Sequence, residues 1–352
     1  MPADTIPGTR RTGRSDARPR PARRRLLGLV VLAAGLIVVT LCSLAIGASD
    51  ISPHTVLDAF LHYDPANPEH IAVIAKRLPR TVVGLVVGAA LGLAGTLAQG
   101  VTRNPLADPG ILGINQGAAL SVVVGIAVFD ASSPAQYLWF AFAGAAVAAA
   151  LVWLIAGRGR DGATPVKLAL AGAAVAAAFL SLVAGVLIAS QESLDRMRFW
   201  QVGSVAGRDF DVLLPALPAL VLGGVLALLS GRSLNLLALG DDVASGLGLH
   251  VDRARLFAGG VVVLLTGAAT AVCGPIAFLG LIVPHLVRLA TGPDYRWVLA
   301  YTAPAAATVL VGADVVGRLL ARPGELQVGI VLAGIGAPVF IAIVRRGPAV
   351  SL

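Results

Sequence analysis

Residues 81–99 read TVVGLVVGAALGLAGTLAQ, nineteen positions without one ionisable side chain. A helix needs about 20 apolar residues to cross the hydrocarbon core of a bilayer, so this run is long enough to span it. Gly84, Gly88 and Gly92 recur every fourth residue. That spacing strips one helix face of side chains and lets a neighbouring helix approach closely. A direct place in a pore is the other reading of such a face, and helix packing is the simpler one. Alanine-rich stretches at 145–150 and 171–178 extend the pattern.

Nine further apolar stretches flank this one: Leu26–Ile46, Ile111–Phe129, Tyr137–Gly157, Leu168–Ser190, Val212–Gly231, Leu256–Gly274, Pro275–Leu289, Trp297–Ala313 and Val328–Val344. The eighth of the ten in chain order, with Pro284 and His285, is the shortest. The chain of 352 residues is 57% hydrophobic and 13% charged, with a mean hydropathy of +0.85. Soluble domains carry about 25% charged residues. The expected fold class is therefore an all-α integral membrane protein of about ten transmembrane helices. A soluble nucleic-acid binder is excluded, although the net charge of +8 would suit one. The positive excess lies in residues 1–25, with eight arginines and two aspartates. Residues 1–25 are expected to be a disordered basic tail, 26–346 the membrane domain, and 347–352 a short second tail. Cys42 and Cys273 fall inside apolar runs and read as small buried residues, not as a disulfide.

Basic residues in short loops face the cytoplasm. With the N-terminus inside, nineteen of the 27 basic residues fall on the cytoplasmic side, and an even number of spans returns the C-terminus there. Lys76, Arg77, Arg80, Arg196, Arg198, Arg208, Arg318 and Arg322 fall outside. A cleaved signal peptide is the alternative for the first run, but its apolar core exceeds the usual 7–15 residues. A faint echo relates Gly88-Ala89-Ala90, Gly95 and Pro105 to Gly267-Ala268-Ala269, Gly274 and Pro284. The topology makes the two copies antiparallel, as in the inverted repeats of transporters.

Chemistry of the chain's own is hard to find. Neither lysine, Lys76 or Lys167, stands in a phosphate-binding Gly-Lys-Ser/Thr, and there is no His-Glu-x-x-His or Gly-x-Ser-x-Gly. This argues against a membrane-embedded enzyme. Ion-coupled transporters keep acids at membrane depth, and the ten stretches as drawn contain only Arg288 and no acid. The nearest acid is Asp314, four residues before Arg318, placed to pair with it on one helix face near the outer surface.

Several polar segments are distinctive. They are Arg77-Leu78-Pro79-Arg80; Asn104-Pro105-Leu106-Ala107-Asp108-Pro109-Gly110; Leu237-Ala238-Leu239-Gly240-Asp241-Asp242-Val243-Ala244 with Leu247-Gly248-Leu249; Gly280-Leu281-Ile282-Val283-Pro284-His285 with Arg288; and Glu325-Leu326-Gln327-Val328-Gly329. Taken in this order, from about Ile51 to Arg346, they resemble the permease subunits of ABC importers for iron–siderophore complexes, haem and vitamin B12, the FecCD/BtuC type. Gln327 stands where relatives often have proline, and Phe199–Ser204 departs from a leucine-rich version.

The resemblance implies a type II importer fold in a bacterial cytoplasmic membrane. The expected function is inward translocation of a ferric siderophore, with vitamin B12 or haem as the alternative cargo. An ion-coupled secondary transporter is the remaining rival. The implied partners are two ABC ATPase subunits that bind ATP and Mg, a substrate-binding protein, a second permease subunit and membrane lipids; nucleic acid is not among them. No cofactor is expected in this chain. By the same resemblance Asp241, Asp242, Val243, Ala244, Leu247 and Leu249 would dock on the ATPase, an ordinary capped surface helix being the alternative. Arg77, Arg80 and Arg318 would meet acidic residues of the binding protein, with headgroup anchoring or internal pairing as alternatives. Thr164, Pro165 and Val166 would lie near an inner gate, although a proline at a helix start is also routine.

Overall fold

A computed structural model describes residues 22–47, 49–158 and 164–345. The tail expected over 1–25 thus lies mostly outside the described residues, as does 347–352. Every regular element among the described residues is helical. Ten apolar helices coincide with the ten stretches: α1 (Ala22–Ala45), α2 (Leu78–Thr102), α3 (Ile114–Phe129), α4 (Pro134–Ala156), α5 (Pro165–Ala189), α6 (Phe210–Leu229), α7 (Val251–Cys273), α8 (Leu279–Thr291), α9 (Tyr295–Leu320) and α10 (Val328–Arg345). Seven are long and apolar enough to cross a bilayer, while α3, α8 and α10 are shorter.

Local chemistry sets where the helices begin. Ser133 and Gln136 form a reciprocal capping box before α4, Thr164 caps α5, Asp209 caps α6 and Asp294 caps α9. Two interruptions shorten α3 and α8. Before α3, the Asp108 carboxylate accepts the Gly110 N–H at 2.8 Å and starts a single turn, Pro109–Leu112, that ends on Gly113 at φ 68°. Before α8, the chain leaves α7 at Gly274, φ 75°, and stays irregular to Phe278. Irregular backbone at membrane depth persists only where protein shelters it. Here the Ser204 N–H donates to the Cys273 carbonyl at 2.8 Å and the Gly329 N–H to the Gly203 carbonyl at 3.1 Å. A methyl group on Gly274 would overlap the Trp200 carbonyl, and one on Gly329 the Val202 carbonyl. Three remote glycines therefore let three chain segments meet backbone to backbone.

Helix α2 is the axis of the bundle, packed on α6, α7, α8 and α9, whereas α1 lies at the periphery mainly against α9. The glycine face of α2 meets α9. A Cβ on Gly88 would lie 2.8 Å from Ala307 Cα, and one on Gly92 2.5 Å from Ala306 Cβ. That bears out the packing reading. Gly95 is tighter still, against the Gly280 carbonyl of α8. Gly95→Ala is expected to force α2 and α8 apart and cost about 1–3 kcal/mol of overpacking. Gly35→Ala in α1, where nothing lies within 4 Å, serves as its control. Thermal unfolding of the two purified variants in detergent compares them.

Polar contacts between distant segments sort into two ends. At one, Arg80 reaches Asp314 and Glu325, Arg322 reaches Asp50, and Arg196 reaches Asp130. At the other, Arg103 and Arg255 reach Asp241, and Asn235 reaches Asp294. Each contact joins connections that the ten-span topology puts on the same face. The connection after α1, expected as a loop, holds helices Pro53–Leu61 and Pro68–Ile71. The latter runs into α2 through a widened turn, Ala72–Arg77.

Candidate functional site

At the end that holds Arg80 and Asp314, α1 finishes with carbonyl groups that have no partner further along the helix. Two arginines from other helices supply them. Arg77 Nη1 donates to the Leu44 and Ala45 carbonyls at 2.8 and 2.7 Å, and Nη2 to the Ser49 carbonyl at 2.6 Å. Arg318 Nη1 donates to the Ser43 and Ile46 carbonyls at 2.9 and 2.7 Å, and its Nη2 lies 3.1 Å from Asp314 Oδ2. Cations at a helix C-terminus also oppose the dipole. Arg80 grips Asp314 with Nε at 2.9 Å and Nη2 at 2.7 Å, while its Nη1 holds Glu325 at 2.7 Å.

Internal partners thus engage all three arginines expected to dock a binding protein, and Arg77 and Arg318 are only 8% and 2% exposed. Of the readings open in the sequence, internal pairing is the one the geometry displays. The Asp314–Arg318 pair forms as expected but is buried, because α9 continues seven residues beyond the Ala313 boundary to Leu320. The three arginines still converge. They line one cleft of about 440 Å³ with Lys76, Arg208 and Glu325, and Lys76 is exposed. At its rim Arg322 holds Asp50, whose carboxyl the guanidinium keeps below the ordinary carboxylate range.

At the end that holds Asp241 and Arg255, the α6–α7 connection folds into two short helices, Gly231–Leu237 and Asp241–Gly246. Gly240, at φ 103°, makes the corner between them. Burial divides the residues expected to dock on an ATPase. Val243 and Leu247 are 51% and 60% exposed, and Leu239 joins them at 56%. Ala244 is fully buried, and Leu249 is half-buried and packs against the core of the bundle. In a helix this short only one face can point outward, and Ala244 lies on the other. Asp242 is exposed. Asp241 is engaged internally by Arg103 and Arg255. Those two arginines were invisible as partners in the sequence, since they lie 138 and 14 residues from Asp241.

The third site begins at Thr164, whose Oγ1 accepts the Lys167 N–H at 3.4 Å and caps α5. Val166, 68% exposed, follows, and Pro165 opens the helix. Arg288, the charge behind Pro284-His285, is a brace. It donates to Gln99 Oε1 at 3.3 Å and lies 5.2 Å from the Tyr295 ring centre, joining α2, α8 and α9.

The model of the FecCD transport family matches residues 35–346. The chain belongs to that family. The ferric enterobactin transport system permease protein FepD of Escherichia coli is 45% identical over 91% of this chain and 94% of its own. The probable siderophore transport system permease protein YfiZ of Bacillus subtilis is 42% identical over 93% and 98%. The hemin transport system permease protein HmuU of Yersinia pestis is 36% identical over 90% and 96%. A solved structure described as an inward-facing metal-chelate type ABC transporter superposes with a TM-score of 0.80 at 30% identity, covering 91% of this chain and 99% of that one. The FecCD chain is accordingly a multi-pass membrane permease, and its two polar ends flank a bundle whose interior is overwhelmingly apolar.

Proposed function

We propose that the chain is the permease subunit of a binding-protein-dependent ABC importer that carries a ferric siderophore into the cytoplasm. Two ATPase subunits would bind ATP and Mg, and a second permease chain, identical or related, would complete the path. The observation that carries the reading is the patch Leu239, Val243 and Leu247, exposed at the polar inner end of a FecCD protein. Exposed apolar clusters outside the lipid mark protein contacts. Energy would enter here, with the chain contributing movement and no hydrolytic group of its own. The outer basic cleft suits carboxylates of a substrate-binding protein. Since Arg77, Arg80 and Arg318 are held internally, Lys76 and Arg208 are the cations best placed to answer them. Thr164 and Val166, at the start of α5, would border the inner opening.

The siderophore reading is favoured by the FepD and YfiZ relatives, a ferric enterobactin permease and a probable siderophore permease. The hemin permease relative keeps haem as a second cargo. Growth of a deletion strain on single iron sources tests the choice. Rescue by a ferric siderophore supports the proposal, and rescue by haem alone replaces it. Orientation is tested separately. Reporter fusions at Arg20 and after Arg346 are both expected to read out as cytoplasmic, from the bias of basic residues. A periplasmic signal from either would overturn the topology.

A further inference from the structure

We propose that Asp241 is a positioning residue, a clamp through which movement of the 239–247 surface is delivered to α2 and α7. The inference rests on the ABC permease reading and deepens it. One carboxylate oxygen, Asp241 Oδ1, accepts from Arg255 Nη2 at 2.8 Å and from Arg103 Nη2. The two guanidinium groups come from different helices. Arg103 is the first residue beyond α2, and Arg255 lies in the second turn of α7. Arg103 has a left-handed backbone, φ 48°, unfavourable for a residue with a Cβ. It is fixed there by a second bond, Nε to the Leu237 carbonyl at 2.7 Å, so its side chain spans both short inner helices.

The clamp lies beside the exposed patch and does not belong to it. Asp242, Val243 and Leu247 face outward, while Asp241 faces the ends of the two helices. The segment Asp241–Gly246 otherwise rests on Gly231–Leu237 and the start of α7. Charge-assisted bonds are the stiffest polar links available to it. Helices α2 and α7 pack along each other, and α2 touches α6, α8 and α9. Displacing Asp241 therefore pulls the axis of the bundle from its inner end. Removing the carboxylate leaves two cations facing one another, one of them 5% exposed. Loss of stability must therefore be separated from loss of transmission.

The test uses the chain reconstituted in proteoliposomes with its ATPase and binding protein. Radioactive iron is presented as the chelate that restores growth, and the readout is iron carried per ATP hydrolysed. Asp241→Asn is expected to keep the ATPase bound and lower this ratio about tenfold or more, the value of one lost bond to a charged group. Asp241→Glu, which keeps the carboxylate, is expected to recover much of it. Asp241→Asn with Arg255→Gln removes the uncompensated buried cation; it should restore the amount of chain in the membrane and leave the ratio low. A wild-type ratio in Asp241→Asn, or its recovery in the double variant, overturns the clamp. If the wild-type chain binds no ATPase, the permease reading itself fails, and the clamp with it.

Discussion

Leu247→Arg is expected to leave the chain in the membrane at near-normal level while abolishing uptake and stripping the ATPase during purification. Leu247 follows the helix Asp241–Gly246 and is 60% exposed, beside Val243 at 51%. Nothing inside the chain depends on this side chain, so the ten helices should insert as before. Burying a leucine in a partner's groove contributes about 1.5–3 kcal/mol. An arginine there forfeits that gain and adds the penalty of an unpaired charge at a closed interface, several kcal/mol more. Together the two terms amount to a thousandfold or more in affinity, about 4 kcal/mol. Leu249→Arg is the contrasting variant. Leu249 packs against the core, so its charge should lower the amount of folded chain instead of detaching a partner. Co-purification of ATPase with each variant, scaled to permease in the membrane, separates the two effects. Retention of the ATPase and of uptake by Leu247→Arg would reduce segment 237–253 to a solvated loop.

The two variants differ by two residues, and the sequence treats them alike. Both leucines fall in one motif and look equally apolar; the turn at Gly248, φ 85°, stands between the one that faces out and the one that packs inward. This division recurs throughout the molecule. The spans were legible because hydrophobic length is a local property, and all ten helices stand where the apolar runs predict them. The glycine face of α2 was legible for the same reason, since a period of four needs no knowledge of the partner. Its partner was not legible, because α9 lies more than 200 residues away and meets the glycines through Thr302, Ala306, Ala307 and Val311, which carry no matching signal. The outer arginines show the limit most clearly. The motif Arg77-Leu78-Pro79-Arg80 fixes the end of the bundle but not the direction of the side chains. Arg77 turns to the carbonyls closing α1, and Arg80 to Asp314, 234 residues distant. The irregular segment before α8 shortened a span for reasons equally non-local, its backbone being met by Trp200 and Gly203.

Asp314→Ala should cause the largest loss of folded chain of any single change at the outer end. Asp314 has a side chain 4% exposed and balances two guanidinium groups, Arg80 at 11% and Arg318 at 2%. Breaking a buried pair by removing one partner costs about 3–5 kcal/mol, because the remaining charge stays buried without compensation. Arg80 retains Glu325, so the greater part of the penalty falls on Arg318. Arg318 also supplies the Ser43 and Ile46 carbonyls, and its displacement would loosen the end of α1, a helix with few other contacts to the bundle. The expected result is a sharp fall in the amount of chain in the membrane, with uptake falling in proportion. Replacing the pair together by apolar residues of similar size, Asp314→Leu with Arg318→Met, removes both charges at once and should recover part of the folded chain, short of what the Ser43 and Ile46 carbonyls lose with Arg318. The same experiment judges the ion-coupled rival, which needs an acid that takes up and releases a proton within the membrane domain. A proton-relaying Asp314 would make the single variant abundant but inactive, with uptake independent of ATP in the wild type. A structural Asp314 makes it scarce, and the molecules that remain should transport normally. Uptake per folded chain, compared at equal membrane levels, decides between them.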